Sequence, residues 1–385
     1  MPMFPEKLNK KLRNRIQEDA FRELPVKQEL VDFASNDYLG FSGLPAILRL
    51  TEECIQRGPV KQNGSTGSRL LTGNHALYNT LETFLSSYHE SESALVFNSG
   101  YDANVGFFSS VPQRGDIVLY DELVHASIRD GISMGNAKSY NFSHNDLDAL
   151  KVKTEKVLRT QPKHNAPEVY VVTESVFSMD GDSPKLKGFA DFCTQNGFHL
   201  IVDEAHATGV FGKGCVQQME MADAIFARII TFGKALGTHG AAVLGNKTLR
   251  DYLVNFARSF IYTTALSPHA VATILGSYQF LDKKGAQLQE ELHGNISFFR
   301  KQVRALGLQD HFIASHSAIH CIRVPGNEKV KALSRKLNEK GFSVKPILSP
   351  TVKKGEERLR FCLHSYNTKK EITQVLELVK AFIIP

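Results

Sequence analysis

The sequence predicts an α/β protein: a large domain with a mainly parallel sheet and flanking helices, followed by a small C-terminal α+β domain. The first observation is a recurrence of short apolar runs. Leu95–Phe97, Asp116–Tyr120, Glu168–Thr173, His199–Asp203, Ile229–Thr231 and Ala241–Leu244 read as strands, with helical stretches such as Ala76–Tyr88, Leu186–Asn196 and Val216–Ala222 between them. Short buried strands alternating with helices indicate a mainly parallel sheet covered on both faces. The second is a change of order after a long helical stretch over 266–304. His320–Val324 reads as a strand and Val330–Lys340 as a helix. Strands near Ser343–Lys345 and Arg358–Leu363 follow, then a helix from Lys369. That order suits a small α+β unit.

The remaining segments and the composition fill in the frame. Residues 5–22 carry Leu8, Leu12 and Ile16 at helical spacing, and Glu29–Ala34 reads as extended. The expected division is therefore an N-terminal helix and arm over 1–45, the large domain over 46–270, and a linking helix with the small domain over 271–385. A chain of 385 residues buries enough apolar surface to need no disulfide or metal staple. Its 5 cysteines are scattered and form no CxxC pair, so neither a zinc cage nor a disulfide framework is suggested. The N-terminal segment is charged rather than apolar, which is unlike a secretory signal. No apolar run approaches the roughly 20 residues that span a bilayer. A cytoplasmic protein without membrane contact is expected. The net charge of +6 is spread along the chain with no aromatic-interleaved basic stripe, which argues against nucleic acid. A basic solvated surface or a polyanionic small molecule such as a coenzyme A ester accounts for it.

Candidate chemistry sits where these strands end, the place where ligands gather in parallel sheets. Asp203 closes the run His199-Leu-Ile-Val-Asp203, and His206 follows three residues on. A carboxylate there suits a protonated pyridine nitrogen, and an imidazole suits a ring oxygen; a helix N-cap or a metal ligand are the plainer readings. Lys234 lies in Thr231-Phe-Gly-Lys234-Ala-Leu-Gly237. A lysine among small residues can be desolvated and become nucleophilic toward an aldehyde, although most lysines are simply exposed. Thr231 offers a hydroxyl to a phosphate. Gly100, Tyr101 and Asp102 open a helical stretch after Leu95–Phe97, where N–H groups converge on an anion. An ordinary strand-to-helix turn reads the same way. His125 follows another strand and can stack on a flat heteroaromatic ring or be structural. Ser178 lies in a turn rich in Ser, Asp and Gly, and its hydroxyl can bond a cofactor. Singly these signals are weak. Together, strand-end loops in order each offer a group that one cofactor needs.

The combination resembles the α-oxoamine synthase family of fold-type I pyridoxal-phosphate enzymes over nearly the whole chain. The carrying stretches are Ser35-Asn-Asp-Tyr-Leu-Gly40, Gly64-Ser-Thr-Gly-Ser-Arg-Leu-Leu-Thr-Gly-Asn-His75, Ser178-Met-Asp-Gly-Asp182, Asp203-Glu-Ala-His-Ala-Thr-Gly209, Thr231-Phe-Gly-Lys234 and Ile261-Tyr-Thr-Thr-Ala265. The resemblance implies a decarboxylative condensation of a small amino acid with an acyl-CoA or acyl carrier protein. It is greatest to the branch that uses L-alanine and a pimeloyl thioester.

That resemblance also implies residue roles. Lys234 would hold pyridoxal 5'-phosphate as a Schiff base and move the Cα proton. Asp203 would pair with the ring nitrogen, His206 with the ring hydroxyl oxygen, and His125 would stack on the ring. Ser178 and Thr231 would bond cofactor oxygens. Asn36 and Arg360 would hold a carboxylate, for which an arginine fork is suited; a strand-edge surface charge is the alternative for Arg360. Thr351 matches a substrate-contacting position. Thr263 and Thr264 would reach the phosphate of the partner subunit's cofactor, so a homodimer is expected. The family often carries an arginine ahead of Pro-Pro-Thr, but Leu348 stands there in Ile347-Leu-Ser-Pro-Thr351. Arg22 is the candidate for the acyl chain's far carboxylate, with an exposed helix-end arginine as its alternative. Sister members differ in amino acid and acyl chain. A cofactor-binding regulator without turnover is the reading outside enzymes.

Overall fold

The computed structural model describes residues 4–24, 29–161 and 166–384. It divides into two compact units. One is drawn from Met1–Ser35, Met179–Asp182 and Glu291–Pro385, the other from Asn36–Ser178 and Ser183–Glu290.

The chain opens with α1 (Glu6–Gln17) and β1 (Val31–Asp32). Helices α2 (Pro45–Arg57) and α3 (Ala76–Tyr88) follow, then β2 (Ser93–Phe97), α4 (Gly100–Ser110), β3 (Ile117–Asp121), α5 (Ala126–Met134) and β4 (Lys138–Phe142). Next come α6 (Leu147–Leu158), β5 (Val169–Glu174), α7 (Leu186–Asn196), β6 (His199–Asp203), α8 (Cys215–Gln218), β7 (Ala227–Thr231) and β8 (Ala241–Gly245). Helices α9 (Lys247–Phe256), α10 (Arg258–Ile261) and the long α11 (Pro268–Ala305) lead to β9 (Ile319–Arg323) and α12 (Asn327–Glu339). Strands β10 (Phe342–Ser343), β11 (Lys345–Ile347) and β12 (Arg358–Cys362) precede α13 (Lys369–Ile383).

In the larger unit, seven strands form one sheet in the order β2-β8-β7-β6-β5-β3-β4. Strand β8 is antiparallel to both of its neighbours, and the other pairings are parallel. The strands β2, β3, β5, β6 and β7 therefore all point the same way, and their C-terminal ends share one edge. Side chains alternate between two cores, as a strand's period of two requires. Val118, Tyr170, Val172 and Ile201 pack with Phe107, Phe108, Ile128 and Leu253 of α4, α5 and α9. Ile117, Leu119, Val171, Leu200 and Val202 pack with Leu150, Phe189 and Cys193 of α6 and α7. Both faces are covered, which is why these strands read as continuous apolar runs.

The other unit holds a three-stranded antiparallel sheet, β11-β12-β9, and a short parallel pair, β1-β10. A capping box of Thr368 and Glu371 starts α13.

The sequence-based elements hold in outline, with definite exceptions. The helix expected over 5–22 ends at Gln17, and Asp19 adopts φ 55°. The one expected over Val216–Ala222 stops at Gln218, because Glu220 turns left-handed with φ 54°; Ala222–Ala224 form a separate 3-10 turn. The strand near Ser343–Lys345 is two short strands. β4 was not anticipated: Lys-Ser-Tyr-Asn-Phe lies at the sheet edge with only Phe142 buried, so it has no apolar signature. Among the described residues, no helix is long and apolar enough to cross a membrane.

Candidate functional site

The sheet edge that gathers the strand ends assembles most of the predicted residues in one unit. At the end of β6, Asp203 is 5% exposed. Its Oδ1 accepts the Ala205 N–H at 2.9 Å, and its Oδ2 accepts an amide proton from Asn104 Nδ2 at 3.0 Å. A carboxyl group this deeply buried requires such partners. His206 is also buried, and its Nδ1 lies 2.7 Å from the hydroxyl of Tyr38. Tyr38 in turn donates to Asn36 Oδ1 at 3.1 Å. Asn36 is thus joined to His206 through one phenol.

On the neighbouring strand β7, Thr231 leads into the loop bearing Lys234. The loop is tight because the Gly237 N–H bonds the Lys234 carbonyl at 2.8 Å. Gly237 has φ +62°, and a Cβ there would lie 2.2 Å from the Ser42 nitrogen, so only glycine fits. Lys234 is half-buried. The Thr231 hydroxyl donates to the Gly240 carbonyl at 3.1 Å.

The loop after β2 starts α4. Ser99 caps it: its Oγ accepts the Asp102 N–H at 3.0 Å and donates to Asp102 Oδ2 at 2.8 Å. The N–H groups of Gly100 and Tyr101 lie in the first turn, where no intrahelical acceptor exists. A Cβ added to Gly100 would sit 3.7 Å from Thr231 Oγ1, so this helix start and the Thr231 hydroxyl are neighbours. The Tyr101 hydroxyl donates to Asp130 at 2.7 Å. Asn98 Nδ2 donates to Thr263 Oγ1 at 3.0 Å and to the Thr264 carbonyl at 2.6 Å. The Thr263–Thr264 segment is therefore tied, within one chain, to the residue that opens this loop.

His125 caps α5 with its own imidazole. Burial holds its ring below the ordinary histidine range, opposed by Asp203 and reinforced by Lys234. Its backbone N–H donates to Glu174 Oε1 at 2.6 Å. Burial and then the Asp203 charge push the Glu174 carboxyl up to about 8, while Lys234 pulls it down. Ser178 follows β5, half-buried, in the same unit.

Arg22, Thr351 and Arg360 belong to the other unit. Arg22 Nη2 donates to Thr351 Oγ1 at 3.3 Å, and both residues are exposed. Arg360 is buried on β12 opposite Cys321, with Nη1 3.0 Å from Cys362 Sγ. Leu348 accepts the Thr351 N–H through its carbonyl at 2.8 Å.

Sequence reasoning gave no role to Asn104, Ser127 or Glu174. Asn104 and Ser127 sit inside helices, where their spacing signals nothing. Glu174, the last residue of an apolar strand, was the one legible signal, since a carboxylate ending a buried strand is uncommon.

Against known proteins, the aminotransferase class I and II family matches residues 28–379. The 8-amino-7-oxononanoate synthase of Emericella nidulans is 40% identical, covering 98% of this chain and 95% of its own. A solved serine palmitoyltransferase from S. paucimobilis, with PLP and myriocin bound, superposes with a TM-score of 0.85 at 27% identity, covering 98% of this chain and 96% of its own. The 8-amino-7-oxononanoate synthase of Francisella tularensis does so with a TM-score of 0.76 at 28% identity, covering 92% and 98%. The chain belongs to the aminotransferase class I and II family of fold-type I enzymes and, within it, to the pyridoxal-phosphate-dependent α-oxoamine synthases.

Proposed function

We propose that the protein condenses L-alanine with pimeloyl-CoA, or with a pimeloyl carrier protein, to give 8-amino-7-oxononanoate, the free thiol and CO₂ in biotin biosynthesis. A bond forms between the alanine Cα and the pimeloyl carbonyl carbon, the C–S bond breaks, and the alanine carboxylate leaves as CO₂. The observation that carries the reading is the set of donors at the strand ends, in a chain 40% identical over nearly its full length to a protein named for this activity.

The residues fit pyridoxal 5'-phosphate. First-turn N–H groups at Gly100 and Tyr101, which have no intrahelical acceptor and start next to the Thr231 hydroxyl, suit a phosphate. Asn104 Oδ1 is buried beside Asp203 without a hydrogen bond, which marks a place still able to accept a donor. When bound, the cofactor supplies an electron sink for the amino acid's Cα. Asp203, a buried carboxylate at the end of β6, would pair with the ring nitrogen and favour its protonated form. Lys234 Nζ anchors the aldehyde and then carries the Cα proton. His206 and Ser178 orient the ring oxygens, and His125 covers the ring face. The first-turn N–H groups of Gly100 and Tyr101 and the Thr231 hydroxyl would hold the phosphate, whereas the expected third donor, the Asp102 N–H, is already bonded to Ser99 Oγ. Thr263 and Thr264, from a second copy, complete this phosphate site in a homodimer. Arg360 offers a guanidinium fork suited to a carboxylate, Asn36 offers a side-chain amide, and Arg22 and Thr351 are the contacts assigned to the acyl donor.

An absorbance titration of the purified protein with L-alanine, glycine and L-serine, followed by pimeloyl-CoA, tests this. A response to alanine, then thiol release on adding pimeloyl-CoA, is expected. The likeness to serine palmitoyltransferase supports a second reading, in which the amino acid is serine. A response to serine or glycine alone, without pimeloyl-CoA turnover, would move the function to such a sister enzyme, for example glycine C-acetyltransferase. Tight cofactor binding with no thioester turned over would favour a regulator.

A further inference from the structure

The hydrogen bonds around Asp203 continue beyond it. Asn104 Nδ2 donates one amide proton to Asp203 Oδ2 and the other to Ser127 Oγ, each at 3.0 Å. The reverse amide orientation would set Asn104 Oδ1 against a carboxylate oxygen, so the network itself assigns this one. Ser127 Oγ lies 2.7 Å from His125 Nδ1, and the Ser127 backbone N–H points at the same nitrogen from 3.3 Å. A backbone N–H can only donate, so Nδ1 must offer its lone pair. The Ser127 hydroxyl, whose oxygen already receives the Asn104 proton, donates to Nδ1 as well. A neutral imidazole with an accepting Nδ1 carries its proton on Nε2. Asn104 and Ser127 are 3% and 0% exposed, so water does not compete for these bonds.

We propose that Asn104 and Ser127 are positioning residues that tie the Asp203 carboxylate to the tautomer of His125, fixing His125 as an Nε2–H donor. The inference rests on the site assigned above and deepens it. An Nε2–H edge can bond a substrate carbonyl or carboxylate oxygen as a donor, and the opposite tautomer cannot. Asn104 serves both ends, because the amide proton that orients Asp203 and the one that orients Ser127 belong to the same nitrogen. Burial, which disfavours the imidazolium, keeps the ring in the neutral form for which tautomers matter.

The test is long-range ¹H–¹⁵N NMR on the full chain with ¹⁵N-labelled histidines, with and without pyridoxal phosphate, the His125 signals being identified by their loss in His125→Phe. The expected result is an unprotonated Nδ1 and a protonated Nε2. Ser127→Ala should let the two tautomers mix, while Ser127→Thr restores the single one. Asn104→Ala should lower kcat/KM by about 10- to 100-fold, the loss typical of removing an outer hydrogen-bond partner. It should also shift the pH profile of kcat, which a merely structural loss would not. A protonated Nδ1 in the wild type would overturn the proposal. So would an unchanged tautomer in Ser127→Ala, a variant that removes a single oxygen and keeps the test alive if Asn104→Ala fails to fold. The NMR reading does not involve the reaction, so a wrong substrate assignment and a wrong tautomer are separately visible.

Discussion

The surroundings of Asp203 and those of Arg22 make opposite use of polar groups. Asp203 is buried, accepts two hydrogen bonds, and belongs to a chain of partners through Asn104, Ser127 and His125. Arg22 is exposed and holds Thr351 by one 3.3 Å bond. Buried polar groups must be satisfied and so restrict the residues around them, whereas exposed ones leave their neighbours free. A pattern common to a family should be easy to find at the first place and hard to find at the second. Leu348, whose carbonyl accepts the Thr351 N–H, lies next to the second.

The strongest way to break the comparison is at Lys234, in the loop that follows β7, the strand paired with the one that ends in Asp203. Lys234→Ala should lower turnover by about 10⁴-fold or more, since it removes both the proposed anchor and the proposed proton carrier. The protein should still fold and still take up pyridoxal phosphate through its remaining donors. Near-normal turnover measured as thiol release would remove the mechanism.

A buried pair with no part in the chemistry supplies the control. Glu204 is fully buried, and Arg228 donates to it from Nε at 2.7 Å. Arg228 also bonds the carbonyls of His89 and Lys213. Removing one partner leaves an uncompensated charge, so Glu204→Ala should cost about 3–5 kcal/mol. Denaturant unfolding of the cofactor-free chain would measure it, and a loss below about 1 kcal/mol would mean that water reaches the pair.

Glu174 sharpens the contrast because it is buried without a compensating cation in full contact. Burial and Asp203 raise its carboxyl from the ordinary 4.5 to about 8. The folded protein then keeps a proton that the unfolded chain releases, so stability falls as pH rises from 4.5 to about 8. Glu174→Gln removes that dependence and can still accept the His125 N–H. Its stability relative to wild type should increase across this window and level off above it, as followed by unfolding at several pH values. A variant less stable than wild type at pH 8 would mean that the carboxylate is ionised.

How much was legible follows the same division. The helices Ala76–Tyr88 and Leu186–Asn196 and the strand His199–Asp203 were read with their observed bounds, because both faces of the sheet are covered and the apolar pattern is unbroken. β4 escaped because one of its edges is unpaired and its side chains are mostly outside the core. Val216–Ala222 misled because its apolar spacing is helical while Glu220 bends the backbone away. In the site, Lys234, Asp203 and His206 were visible as chemistry at strand ends. Asn104 and Ser127 were not, because what they do depends on a partner distant in sequence: Asn104 meets Ser127 across 23 positions and Asp203 across 99.

The smallest effect expected is at Arg22. An exposed arginine that meets a distant carboxylate gains about 0.2–1 kcal/mol, which is up to about fivefold in affinity. Arg22→Ala should therefore raise KM for pimeloyl-CoA by about two- to fivefold and leave kcat nearly unchanged, because the contact is the same in the ground and transition states. The response to L-alanine alone should not move. Heptanoyl-CoA, which lacks the far carboxylate, should be used equally by both forms, and raised salt should shrink the difference for pimeloyl-CoA through screening. Equal loss with both thioesters would mean that Arg22 supports the fold around Thr351 instead of reading the acyl chain. No loss with either would send the search for the carboxylate's partner to another arginine.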